Sequence, residues 1–215
     1  MRTEGDHLMI LHTAPTPNGQ KASIALAELG LDYEARYVPL LKGAQFEEAF
    51  LSLNPNHKIP VLEDGDQVIW ESGAILFYLG EKYDTEGCIL PKEPRLRMEA
   101  LQLSFFQTGG VGPNFGRLGE ALQKEGAKNT EMIEKFEGEM ERLMGVLERI
   151  LSDGRPYLLG TYSVADIMHY PWLFIAQKEG LTWFTKKPSL MAWIDRISER
   201  PAVQAGMKVP SKKPQ

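Results

Sequence analysis

The first 84 residues alternate between short apolar runs and stretches of helical periodicity. The apolar runs predict four strands, at residues 8–11, 33–38, 60–63 and 67–70. The i, i+3, i+4, i+7 spacing of a helix is carried by Ala22, Ala25, Leu26 and Leu29. A further helix is predicted around residues 45–53, and Ser72 can cap another. Because Asp64-Gly65-Asp66 is a hairpin signature between the last two strands, the predicted order is β-α-β-α-β-β-α.

A different pattern follows residues 85–92, where the periodicity lapses and Pro, Gly and Lys appear. Strand signals then fade, and helices are predicted at residues 96–106, 133–147, 163–178 and 188–199. Ser163 and Asp166 have the spacing of a capping box, which is a folding signal. Two patterns around a linker indicate two domains. We predict an α/β domain at 1–84, a linker at 85–92, an all-helical domain at 93–205 and a tail at 206–215.

Composition and charge narrow the function classes. With 43% apolar and 25% charged residues among 215, the chain has the composition of a globular protein. Its net charge of −5 argues against nucleic acid or an anionic membrane as a partner, because phosphate binding needs clustered Lys and Arg. The basic residues at 208–213 are expected to form a solvated end. The four histidines lack metal-ligand spacing, so we expect no metal.

Cysteine usage and the absence of apolar segments bear on the compartment. The single cysteine, Cys88, excludes an intramolecular disulfide and a CxxC pair, which is typical of a reducing environment. The N-terminal residues lack a signal-peptide core, and no apolar run is long enough to span a membrane. We therefore expect a cytoplasmic protein.

Thr16 and Asn18 stand in the loop between the first predicted strand and the first predicted helix. A helix start offers unpaired N–H groups and the positive end of the helix dipole to an anion, and both side chains can add donors. Ordinary N-capping by Thr or Asn explains the same residues. The loop by itself leaves both interpretations open.

Two further loops hold candidate residues. His57-Lys58-Ile59-Pro60 precedes the third strand. A cis bond before Pro60 would turn the backbone of Ile59 toward an extended, peptide-like ligand, whereas a trans bond would make the segment an ordinary edge-strand start. Glu71-Ser72 precedes a helix, where a carboxylate and a hydroxyl can bind the amine and the carboxylate of an amino acid, or simply cap. The predicted order would bring all three loops to one edge of the sheet.

Taken together, these motifs resemble those of the cytosolic glutathione transferases over residues 8–205. The similarity is carried by residues 16–19, 54–60, 71–76 and 162–167. The Thr-Pro-Asn-Gly form and residues 106–113 are most similar to the bacterial nu-type and a related fungal subgroup. The resemblance implies a thioredoxin-like α/β domain followed by an all-α helical domain, a homodimer, and glutathione as co-substrate. Several members of the subgroup are implied to reduce disulfides with two bound glutathiones.

The resemblance also implies individual roles. Thr16 and Asn18 would be catalytic, in contact with the glutathione sulfur, and the backbone of Ile59 would pair with the cysteinyl unit. The other binding residues would hold the γ-glutamyl end (Glu71, Ser72), lie near the glycyl carboxylate (Gln45, His57, Lys58) or lie near the ligand as a basic group (Lys135).

The expected function is that of a glutathione transferase with one open choice of reaction. The thiolate would attack carbon in conjugation of an electrophile or sulfur in reduction of a disulfide, and the sequence does not separate the two. No Tyr, Ser or Cys stands at residues 13–19, which excludes the cysteine-dependent classes, and Cys88 is expected to be inert. A non-catalytic binding or regulatory protein with this fold is the alternative, against which the intact motifs at 57–60 and 71–72 argue.

Overall fold

The computed structural model describes residues 8–123 and 130–210. The chain forms two compact units. The first holds the described residues up to Leu90 together with those from Arg200, and the second runs from Pro91 to Glu199. Within the described ranges, none of the helices has the length and apolar character needed to cross a bilayer.

The first unit is built on a four-stranded mixed sheet. In order across the sheet, the strands are β2 (Tyr33–Tyr37), β1 (Met9–Thr13), β3 (Val61–Asp64) and β4 (Gln67–Trp70). Strand β1 is parallel to β2 and antiparallel to β3, and β3 is antiparallel to β4. The helices between and after the strands are α1 (Pro17–Glu28), α2 (Glu48–Leu51) and α3 (Ser72–Lys82). The predicted element order and the thioredoxin-like fold class are confirmed.

Apolar side chains from the sheet and the helices form the core of this unit. In β1 the buried positions Met9, Leu11 and Thr13 alternate with half-buried ones, as a strand period of two requires. The fully buried aliphatic side chains include Leu11, Ile24, Leu26, Leu62, Ile75, Leu76 and Leu79. Each such side chain contributes roughly 1.5–3 kcal/mol through its removal from water. The helical spacing in the sequence therefore marks the face that holds α1 and α3 in place.

The regular secondary structure in the described part of the second unit is all helical. Its helices are α4 (Pro94–Phe106), α5 (Gly112–Gln123), α6 (Thr130–Leu151), α7 (Val164–Lys178), α8 (Thr182–Thr185) and α9 (Pro188–Ser198). The four predicted helices are confirmed, while α5 and α8 were not predicted. Residues Gln107–Val111 form a π-helical segment that joins α4 to α5. A Cβ at Gly112 would lie 2.8 Å from Gln107 Nε2, so this glycine permits a close approach instead of ending the helix.

The predicted capping box at the start of α7 is confirmed. Ser163 is the N-cap and accepts a hydrogen bond from the Ala165 N–H at 3.2 Å, while the Asp166 carboxylate accepts from the Ser163 N–H at 2.9 Å. The same carboxylate accepts from the Leu158 N–H at 3.0 Å and from Trp193 Nε1 at 2.7 Å. Asp166 thus ties the start of α7 to the preceding loop and to α9.

The C-terminal segment lies elsewhere than predicted. Helix α9 ends at Ser198, and Pro201 is the first residue of a further helix, α10 (Pro201–Gly206), which was not predicted. This helix packs on α1. Ser23 Oγ donates to the Gly206 carbonyl at 2.7 Å, and a Cβ at Gly206 would lie 2.6 Å from the Ile24 backbone. The segment from residue 200 therefore belongs to the first unit, although residues up to 205 were assigned to the helical domain.

The predicted linker is also shorter in the structure. The Asp84 carboxylate accepts hydrogen bonds from the N–H groups of Cys88, Ile89 and Leu90 at 2.7–2.8 Å. These bonds hold residues 85–90 in the first unit, and the second begins at Pro91. Residues 211–215 of the predicted tail lie outside the described residues.

Candidate functional site

The register of the sheet brings the candidate loops to one edge. Val61, at the start of β3, pairs with His12 near the end of β1 and with Trp70 at the end of β4. Thr13 pairs with Tyr37 at the end of β2. Since neighbouring strands are about 4.8 Å apart, the loops after β1, β2 and β4 and the loop before β3 all leave from the same edge.

Thr16 and Asn18 lie at the start of α1, where helix and loop meet. Thr16 is the N-cap, and its Oγ1 accepts a hydrogen bond from the Gly19 N–H at 3.3 Å. The capping interpretation is therefore correct for Thr16, and its hydroxyl proton is the part that can be donated to an anion. Asn18 lies in the first turn, and its Oδ1 accepts from Lys21 Nζ at 3.0 Å. A Cβ at Gly19 would lie 2.4 Å from the Ala14 carbonyl, so only glycine fits this tight start.

Lys21 is a residue of the site that the sequence did not reveal. It lies in the second turn of α1, and only 1% of its surface is exposed. Burial lowers the pKa of its ammonium to about 7, and the Glu71 carboxylate opposes that fall. In the sequence, Lys21 stands three residues after Asn18, a spacing that places the two on the same side of a helix. That spacing indicates a contact with the site only when the burial of Lys21 is known.

The segment before β3 is held by a second residue that the sequence did not single out. Asn54, which is 2% exposed, donates from Nδ2 to the Lys58 carbonyl at 2.7 Å and accepts from the Asn56 N–H at 2.9 Å. The Ile59–Pro60 bond is cis. Ile59 is half-buried against the cluster of Val38, Phe50 and Val61, whereas His57 and Lys58 are exposed.

Gln45 lies in a 3-10 turn after β2, next to this segment. The ring of its neighbour Phe46 lies 5.5 Å from the ring of His57, which brings the two loops together. Gln45 Oε1 is buried without a hydrogen-bond partner among the residues that the structure describes. Such an unpaired group costs about 1–3 kcal/mol. A half-turn of the amide exchanges its oxygen and its NH2 group, so the side chain can meet either a donor or a carboxylate.

Glu71 and Ser72 lie at the start of α3, one position later in the helix than predicted. Glu71 occupies the N-cap position, and Ser72, which was expected to cap, is the first helical residue. Glu71 has a φ of 74°, an uncommon conformation for a residue with a side chain. Its carboxylate does not cap its own helix. It is exposed and acts on Lys21 in α1.

The remaining candidates, Lys135 and Cys88, belong to neither these loops nor the start of α1 or α3. Lys135 is exposed on α6 in the second unit, whereas the other predicted site residues all lie in the first unit. Partial burial and the nearby Asp84 carboxylate raise the pKa of the Cys88 thiol, which keeps it protonated. In the part of the chain that the structure describes, no group of three or more His, Cys, Asp and Glu side chains is arranged to hold a metal ion.

Comparison with known proteins shows the family of the chain. The family "Glutathione S-transferase, N-terminal domain" matches residues 8–81, and "Glutathione S-transferase, C-terminal domain" matches residues 118–208. Disulfide-bond oxidoreductase YfcG of Escherichia coli strain K12 is 39% identical over 202 residues, which cover 89% of this chain and 91% of that protein.

Two solved structures share the fold. A glutathione transferase homologue from Lodderomyces elongisporus, with two glutathiones per subunit, is 34% identical with a TM-score of 0.88, covering 95% of this chain and 99% of that one. A glutathione transferase from Pseudomonas putida, with one glutathione disulfide per subunit, is 35% identical with a TM-score of 0.87, covering 97% and 94%. Both domain families match, and the 39% identity to the Escherichia coli protein extends over most of the chain. The chain therefore belongs to the glutathione S-transferase family.

Proposed function

We propose that this protein is a glutathione transferase that binds glutathione along the loop edge of the first unit and ionises its thiol at Thr16 and Asn18. The observation that carries the proposal is the convergence of the start of α1, the loop before β3 and the start of α3, fixed by the pairing of Val61 with His12 and Trp70. Glutathione bound in the Lodderomyces elongisporus and Pseudomonas putida relatives supports it.

Each part of the tripeptide has a matching group at this edge. The positively charged α-amino group of the γ-glutamyl end suits the exposed Glu71 carboxylate, and its carboxylate suits the hydroxyl and N–H of Ser72 at the start of α3. The backbone of Ile59 suits the extended cysteinyl unit. We assign the glycyl carboxylate to the side chains that surround the Phe46–His57 contact, namely Gln45, His57 and Lys58. Lys135 is proposed as a further basic group for the ligand on the family resemblance alone.

The donors at the sulfur position can supply the free energy that ionisation needs. A thiol of pKa about 8.5 requires a fall of about two units to react at neutral pH, or about 2.7 kcal/mol. A hydrogen bond to a charged group contributes roughly 1.5–3 kcal/mol and a helix N-terminus about 0.3–1 kcal/mol. Donors from Thr16 and Asn18 at the start of α1 are therefore sufficient.

We propose disulfide reduction as the favoured reaction, with conjugation as the second candidate. The glutathione thiolate would attack one sulfur of a disulfide, forming a mixed disulfide and releasing a thiolate that takes up a proton. A second glutathione thiolate would then attack the glutathione sulfur of the mixed disulfide, giving glutathione disulfide and the second thiol. Two relatives support this choice: the Escherichia coli protein is a disulfide-bond oxidoreductase, and the Pseudomonas putida structure holds a glutathione disulfide.

We also propose that the protein acts as a cytoplasmic homodimer. Large apolar side chains are exposed on the first unit, among them Leu41, Phe46 and Trp70, and such exposure is typical of association surfaces. The family resemblance supports a second copy as the partner. The molar mass in solution, measured by light scattering, tests this: a monomer at micromolar concentration would contradict it.

One purified sample tests the function. We expect titration calorimetry to show glutathione binding, and turnover of a small mixed disulfide to exceed turnover of a chlorodinitrobenzene-type electrophile. The double variant Thr16→Ala/Asn18→Ala is expected to lose about 100-fold in kcat/KM near pH 7, which corresponds to about 2.7 kcal/mol. Cys88→Ala is the matched control and is expected to retain turnover. Absence of both glutathione affinity and thiol-dependent turnover would favour the non-catalytic alternative.

A further inference from the structure

Lys21 is a buried cation that folding alone does not explain. It is 1% exposed and lies in the second turn of α1, close to the helix end whose dipole disfavours positive charge. Burying an ammonium costs several kcal/mol before any compensation. An unbranched apolar side chain of similar length would fill the same volume without that cost. The charge therefore points to a role in the site that surrounds it.

The contacts of Lys21 lead to both ends of the proposed ligand site. Its Nζ donates to Asn18 Oδ1 at 3.0 Å, and its ammonium is attracted to the carboxylate of Glu71 at the start of α3. Asn18 is the residue proposed at the sulfur, and Glu71 the one at the γ-glutamyl amine. Because Lys21 has almost no exposed surface, it acts on a ligand through these two residues and does not touch it.

The bond to Asn18 decides which end of the amide faces the sulfur. An amide has an acceptor oxygen and a donor NH2 group about 120° apart, and only the donor stabilises a thiolate. A charged partner on Oδ1 makes a bond worth roughly 1.5–3 kcal/mol. That bond holds the oxygen toward Lys21 and turns the NH2 group away from it. The positive charge also polarises the amide, which strengthens its N–H groups as donors.

We propose that Lys21 is a positioning residue for the glutathione sulfur, which orients the Asn18 amide with its NH2 group toward the thiolate and reinforces that donor with a buried positive charge. The inference rests on the proposed function and extends it. Its consequence is that the thiol of bound glutathione ionises at lower pH when Lys21 is present.

A double-mutant cycle tests the inference. The variants are Lys21→Met, Asn18→Ala and the two combined, with Lys178→Met, an exposed lysine at the end of α7, as the control for loss of one positive charge. The readouts are the pKa of bound glutathione, followed by thiolate absorbance in the ultraviolet, the dissociation constant from calorimetry, and kcat/KM. Lys21→Met is expected to raise the thiol pKa by about one unit and lower kcat/KM about tenfold near pH 6.5. Lys178→Met is expected to change neither.

The combined variant distinguishes a positioning role from a structural one. If Lys21 acts through Asn18, Lys21→Met/Asn18→Ala has the same kcat/KM and the same thiol pKa as Asn18→Ala alone. The reason is that Asn18→Ala has already removed the interaction that Lys21→Met would remove. Lys21→Arg keeps the charge and is expected to keep the lower thiol pKa. Independent, additive losses would overturn the inference, as would a Lys21→Arg variant whose thiol pKa rises as far as that of Lys21→Met.

Failure of the proposed function would look different. A wild-type protein without glutathione affinity would overturn that function and this inference together. A wild-type protein that binds and ionises glutathione, combined with an unchanged thiol pKa in Lys21→Met, would overturn the inference alone.

Discussion

Each unit has a charged side chain buried near the N-terminus of a helix, and the two side chains differ in sign and in hydrogen-bond partners. Lys21 in α1 and Asp166 in α7 both lie within the first turns of a helix and are almost wholly buried. Asp166 is negative, so the helix dipole stabilises it, and it accepts hydrogen bonds from Leu158, Ser163 and Trp193. Lys21 is positive and opposes the dipole; it donates to Asn18 Oδ1 and is attracted to the Glu71 carboxylate.

The difference separates a group that supports folding from a group that supports a site. The partners of Asp166 are two backbone N–H groups, the Ser163 hydroxyl and an indole, and none of them is a proposed ligand contact. The contacts of Lys21 are with proposed ligand contacts. The hydrogen bonds that Asp166 accepts hold α7 and α9 in place, whereas the bond that Lys21 donates orients a proposed ligand contact.

Loss of the Asp166 carboxylate is expected to have the largest effect on stability. Asp166→Ala leaves the Leu158 and Ser163 N–H groups and Trp193 Nε1 buried without their acceptor, at about 1–3 kcal/mol each. We expect a loss of about 4 kcal/mol in the free energy of unfolding, measured with urea. Turnover per folded molecule should be kept. Asp195→Ala, at an exposed position of α9, is the control and should change stability by less than about 0.5 kcal/mol. A small effect of Asp166→Ala would contradict the folding role.

The pH dependence that Asp166 contributes has a definite sign. Burial raises the pKa of its carboxyl from 3.8 to about 6, against the hydrogen bonds that favour the ionised form. Between these values the native state holds a proton that the unfolded state has lost, so the contribution to stability falls as pH rises from about 4 to 6. We expect the wild type to lose up to about 3 kcal/mol over this range relative to Asp166→Asn. Parallel stability curves for the two proteins would refute the assignment.

Lys21 contributes a dependence of opposite sign at higher pH. Its pKa is lowered from 10.5 to about 7, so above pH 7 the unfolded state binds a proton that the native state lacks. Stability therefore rises with pH from about 7 to 10.5 and is flat below. Between pH 7 and 9 the wild type should gain up to about 2.7 kcal/mol relative to Lys21→Met. An equal slope in both proteins would show that Lys21 keeps its proton.

The smallest expected effect on stability comes from the two N-cap residues, Ser163 in α7 and Thr16 in α1. Ser163→Ala and Thr16→Ala each remove one side-chain acceptor from a helix start and should each cost about 1 kcal/mol in the free energy of unfolding. Only Thr16→Ala should also lower kcat/KM, since its hydroxyl is proposed at the sulfur. Equal turnover in both variants would remove Thr16 from the site while leaving both caps in place.

Local signals were sufficient for most of the elements. The capping box of Ser163 and Asp166, the hairpin at Asp64-Gly65-Asp66 and the apolar stripe of α1 were all predicted and confirmed. Predictions failed where a distant contact overrides a local preference. The segment from residue 200 to 205 was assigned to the helical domain, yet the packing of α10 on α1 makes it part of the first unit.

The sequence by itself determined the order of the strands and helices up to residue 82, the family resemblance and the loops that hold the proposed ligand contacts. These depend on hydrophobic periodicity, capping and turn residues, which act over a few positions of the chain. Only the tertiary structure decided that Lys21 is buried beside Asn18, that Glu71 rather than Ser72 takes the N-cap position, and that α10 packs on α1. Burial and charge pairing depend on residues far apart in sequence, and the folded chain alone brings those residues together.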